Sequence, residues 1–154
     1  MASIEHKYNM LKEKYGLPDY ALLNNNFMVE DIEPETNLIL AKIRQKIHEK
    51  IEFYTKILES LLQPDSNLAS LYEIRYMTDK EREKVYSLFK KLVRIIRNSN
   101  HIAIDNDEEE TADFIKTVYQ DWQELKQELK KLIKKVESLW KKETDIKSDY
   151  SYFG

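Results

Sequence analysis

No cysteine occurs in the 154 residues, and glycine and proline are nearly as scarce, at 2 and 3. The missing thiols exclude disulfides, thiolate zinc sites, iron–sulfur ligation and cysteine nucleophiles, and they suit a reducing compartment. Two glycines cannot build a Walker loop or a dinucleotide fingerprint, since both need closely spaced glycines to bring backbone amides to phosphate. Charge of one sign is missing as well: 25 basic against 28 acidic residues leave −3, neither the basic excess of a nucleic-acid binder nor the extreme acidity of a disordered chain. No apolar run approaches the roughly 20 residues of a membrane span, and Met-Ala-Ser-Ile-Glu-His-Lys has no signal-peptide apolar region. The expectation is a soluble cytoplasmic protein without membrane contact.

What is present is helical periodicity. Ser3 is placed to cap a helix to about Tyr15, with Ile4, Tyr8 and Leu11 on one face and Gly16 and Pro18 ending it. Asp19 is the expected cap of a short helix through Asn24, Asn25 and Asn26. An irregular stretch with Phe27, Val29 and Ile32 should follow it and wrap the main helices. Pro34 suits a first helical turn, and from there to about Leu62 apolar residues recur at Leu40, Ile43, Ile47, Ile51, Tyr54, Leu58 and Leu61. Pro64 ends that helix, and Asp65 or Ser66 is expected to open a connector holding Leu68, Leu71, Tyr72 and Ile74.

Thr78 and Glu81 form a capping box before Val85, Leu88, Phe89, Leu92, Ile95 and Ile96, in a helix fading near Ile104. Asp107 and Glu110 open the last helix, expected to reach Glu143. Its stripe of Ile115, Val118, Trp122, Leu125, Leu129, Leu132, Val136 and Leu139 alternates spacings of 3 and 4, the seam of a coiled coil. The fold expected is therefore all-α: an antiparallel helical bundle of three long helices with shorter N-terminal and connecting helices. It is read as one domain over 1–143, with a flexible aromatic tail at 144–154 that includes Tyr150, Tyr152 and Phe153. At 1.5 Å per residue the last helix would be about 50 to 55 Å long and the Pro34 helix about 45 Å. The overhang should be covered by the N-terminal segment or by a second copy in a homodimer.

Assembled chemistry is hard to find. Di-iron bundles use Glu-x-x-His pairs, but Ser3, Gln45 and Asn98 stand three residues before His6, His48 and His101. His48 and Glu52 share a helix face, which supplies half a metal site at most and is read as an ordinary surface pair. The acidic run from Asp105 to Asp113 fails as a calcium loop, because Glu110 and Lys116 hold the positions of the required glycine and glutamate. It is read as charge favourable at a helix N-terminus. Serines and threonines fall at caps and on helix surfaces without a nucleophile elbow. No catalytic residue, metal or cofactor is expected. Trp122 and Trp140 are read as core or interface.

The balanced total hides an uneven distribution. Lys126 to Lys142 contains seven lysines against Glu128 and Glu137, a local +5. Glu137 and Lys141 make its one well-ordered Glu-to-Lys i,i+4 pair. On the Thr78 helix Lys80, Lys84, Lys91 and Arg94 fall within about 80° of arc. The expected function is a non-enzymatic interaction or scaffold protein that presents Lys126, Lys130, Lys131, Lys134, Lys135, Lys84, Lys91 and Arg94 to a macromolecular partner. A protein partner is expected first, and RNA or the ribosome, met through phosphate, second. The bland alternative is a solvated lysine face.

Overall fold

A computed structural model describes residues 3–141, which form an all-helical bundle with no strand among them. The helices are α1 (Ile4–Tyr15), α2 (Tyr20–Phe27), α3 (Ile39–Leu62), α4 (Leu68–Arg75), α5 (Asp79–Asp105) and α6 (Glu108–Lys141), with one 3-10 turn at Val29–Asp31. Lys142 and the tail at 144–154 lie outside the described residues.

Local chemistry sets most of the boundaries. The Ser3, Asn67, Thr78 and Asp107 side chains accept from backbone N–H groups three residues on, at 2.9 to 3.2 Å. Gly16 ends α1 at φ +66°, donating its N–H to the Lys12 carbonyl. With glycine so scarce, Met28 and Asn106 take the same left-handed conformation at the ends of α2 and α5. Asp19 precedes α2 without capping it, because its carboxylate pairs with Lys12 instead.

Two expected boundaries are corrected. Pro34 does not open α3: the Thr36 N–H bonds the Glu33 carbonyl at 3.2 Å, which puts Pro34 second in a four-residue turn, another place that suits its fixed φ. The Lys7 ammonium donates to the Pro34 carbonyl, and α3 starts at Ile39 with 24 residues, or about 36 Å. Asp65 does not cap α4. It stands at φ +49° in the turn that the Asn67 N–H closes onto the Pro64 carbonyl, and Asn67 is the cap.

The long helices α3, α5 and α6 pack on one another, α3 against α5 most extensively, while α1 lies against α3 and α6 and α2 against α3. The apolar stripes face inward: Ile43, Ile47, Ile51 and Leu58 meet Val85, Leu88 and Leu92 in one core with Ile115, Val118 and Trp122. Trp122 is 1% exposed, between the rings of Phe27 at 5.8 Å and Tyr54 at 6.2 Å. Phe27, Val29 and Ile32 are buried, so the irregular stretch does wrap the core.

The α6 seam is graded. Ile115 to Leu129 are buried, whereas Leu132, Val136 and Leu139 are half-buried. α6 has 34 residues against 24 in α3, and α4 meets its last turns: Tyr72 packs on Trp140 at 4.4 Å and donates to the Leu139 carbonyl, and the Trp140 indole donates to Glu73 at 2.9 Å.

Candidate partner interface on α5 and α6

Each lysine singled out in the sequence takes its direction from its helix. On α6 the buried positions define the inward side, so Lys131 and Lys135 flank α5, Lys126 flanks the other side, and Lys130 and Lys134 point outward. On α5, Lys84, Lys91 and Arg94 follow one another at helical spacing beside the buried stripe. The two helices therefore enclose a groove of about 400 Å³ with Lys84, Lys91, Lys131 and Lys135 around a floor of Val85, Leu88 and Leu132. A second hollow, sharing Lys91, continues it past Arg94, Asp121 and Glu124 to Asn98 and Thr117.

Five of the eight residues are thus brought to one groove. Lys126 is not among them: its ammonium donates to Asn26 Oδ1 at 3.1 Å on the opposite side of α6. There it faces Lys50, which donates to the Asn26 carbonyl and stands over the Phe27 and Trp122 rings. Burial lowers the Lys50 pKa, and the nearby Lys126 charge lowers it further.

The groove is less uniformly basic than the sequence suggests. Glu81 reaches across to Lys135 at 2.9 Å and Glu128 to Lys91 at 3.5 Å, partners that no intrahelical spacing rule reveals. The Lys135 ammonium, hydrogen-bonded to Glu81, is the main cause holding that carboxyl below its ordinary value, with help from the Thr78 hydroxyl and N–H. Lys84, Lys130, Lys131 and Lys134 have no ion pair among the described residues.

Comparison with protein-family models, curated proteins and solved structures finds no match.

A second polar cluster, of which the sequence showed only the His48–Glu52 pair, lies between α3 and α5. Arg44 is 7% exposed and donates to the Ser99 hydroxyl at 2.8 Å, and that hydroxyl lies 2.9 Å from His48 Nδ1. His48 Nε2 meets Glu52 at 3.1 Å. A guanidinium can only donate, so Ser99 Oγ accepts from Arg44 and has its own proton for His48. With neutral His48 the ring proton then sits on Nε2 and is donated to the Glu52 carboxylate. Lys56, 3.3 Å away, is the leading cause of the lowered Glu52 pKa, ahead of His48. For the buried part of the cluster the available signal was Ser99, which continues the apolar α5 series Val85, Leu88, Leu92, Ile96.

The His48–Glu52 pair, read from the sequence as an ordinary surface pair, is the outer end of this chain of hydrogen bonds, with His48 half-buried. Among the described residues no group of three His, Asp or Glu side chains converges on a common point for a metal ion. No described helix is long and apolar enough to cross a membrane.

Proposed function

We propose that the protein is a non-enzymatic helical interaction module that docks a protein partner in the α5/α6 groove. The observation carrying this reading is the pair Lys84 and Lys131, two exposed cations without ion pairs on either side of an apolar floor. An acidic side chain placed between them completes their charge, and of the floor beneath it only the half-buried Leu132 offers apolar contact. The ion pairs Lys91–Glu128 and Lys135–Glu81 occur in opposite order along the two helices, as in an antiparallel pair, and they brace the groove walls. A preformed, braced groove lowers the ordering cost of binding.

Interleaved carboxylates favour protein over nucleic acid here. A phosphate backbone laid along the groove would meet Glu81, Glu128, Glu124 and Asp121 as well as the lysines. RNA or ribosome contact remains the second reading because of Lys130 and Lys134, exposed on the outer side of α6 without ion pairs, with Lys131 beside them at the groove edge. The bundle is read as cytoplasmic and without a cofactor.

Affinity recovery of the tagged protein from its native cells, with and without nuclease, separates these readings. A partner retained after nuclease and lost with Lys84→Glu/Lys131→Glu supports protein docking in the groove. A partner lost with nuclease, and with Lys130→Glu/Lys134→Glu, replaces it with the RNA reading.

A further inference from the structure

The groove is polar along its length, and its polarity is self-complementary. At one end Lys84, Lys131 and Lys135 outnumber Glu81; at the other Asp121 and Glu124 outnumber Arg94. Lys84 and Arg94 are ten residues apart on α5, and Lys131 and Asp121 are ten apart on α6, about 15 Å in each case. The Lys91–Glu128 pair lies between the two ends on both helices.

We infer that the groove's occupant is a second copy of the same chain, docked α5/α6 face to α5/α6 face about a two-fold axis through the Lys91–Glu128 level. This rests on the reading of the groove as the docking face and names its partner. A two-fold perpendicular to the helices exchanges the ends, so the Lys84/Lys131 end of each copy meets the Asp121/Glu124 end of the other. Both contacts form at once, and a shift along the groove loses both. Parallel docking sets like charge against like charge at both ends and is disfavoured.

The association this produces is electrostatic rather than hydrophobic. The most exposed large apolar side chains, among them Phe53, Tyr86 and Ile104, do not line the groove. Its apolar floor is already largely covered within one copy, with Val85 1% and Leu88 4% exposed. Assembly should therefore weaken as salt screens the end contacts.

Sedimentation equilibrium of the full chain at low salt and at high salt reads this directly, alongside two charge-reversal variants. Lys84→Glu/Lys131→Glu makes both ends of the groove acidic, and Asp121→Lys/Glu124→Lys makes both basic. The wild type should dimerise at low salt and dissociate at high salt. Each variant alone should associate at least about tenfold more weakly, and an equal mixture of the two should recover the dimer. Circular dichroism checks that each is folded; Lys84→Gln/Lys131→Gln, predicted to weaken the dimer without reversing charge, serves if the first is not. A wild type that is monomeric at low salt, or variants that do not complement each other, overturns the inference. A nuclease-resistant heterologous partner that still depends on Lys84 and Lys131 would then show that the docking-face reading stands without self-association. Loss of both would remove the two together.

Discussion

Ser99 occupies a place where the α5 stripe otherwise puts leucine or isoleucine, and it is fully buried there. Its hydroxyl is the link between a buried guanidinium without a carboxylate and the ring of His48. Removing it leaves polar groups on both sides short of a partner, and the desolvation cost of such groups is about 1 to 3 kcal/mol. Ser99→Ala should lower the unfolding free energy by about that amount in urea titrations at neutral pH. In an Arg44→Met background the same substitution should cost less, because the donor it strands is gone. Equal costs in the two backgrounds would show that Arg44 and Ser99 are not coupled. Gly16 is a different kind of requirement: a Cβ there meets no atom within 4 Å, so its need for glycine is the positive φ alone.

Among the elements, α5 and α6 are joined at their surface by ion pairs whose partners lie 37 and 54 residues apart in sequence. Glu81 reports on this contact through pH. Its pKa is lowered in the folded protein from an ordinary 4.5, chiefly by Lys135, so its ionised form contributes stability above the unfolded value. That contribution is lost as pH falls through the folded value. The stability difference between wild type and Glu81→Gln should therefore be constant above about pH 5.5 and shrink on acidification. A difference that grows toward acid pH would contradict the assignment. The helices themselves were legible from capping residues and periodicity: Ser3, Thr78 and Asp107 open α1, α5 and α6 as their side chains require. Pro34 was not decisive, because its fixed φ suits a turn as well as a helix start, and the Glu33–Thr36 hydrogen bond selects the turn.

For the molecule as a whole, Trp122 joins the N-terminal segment to the long helices through Phe27 and Tyr54. Trp122→Ala should cost about 3 to 5 kcal/mol, close to the largest penalty for core truncation. It should also loosen α2, seen as faster amide exchange at Leu23 to Phe27. A loss below about 1 kcal/mol would mean that the N-terminal segment is not held through this ring. The sequence by itself determined the helical class, the inward faces and most of the helix ends, because periodicity, capping and scarce glycine act within a few residues of one another. It also placed an excess of lysine on α6. Only the tertiary structure decided what that excess meets, since ion pairing across a groove depends on which helices are neighbours. It sends Lys126 toward α2, draws Lys131 and Lys135 beside Lys84 and Lys91, and sets Glu81 and Glu128 between them. The balanced charge of the whole chain becomes, at this groove, two ends of opposite sign.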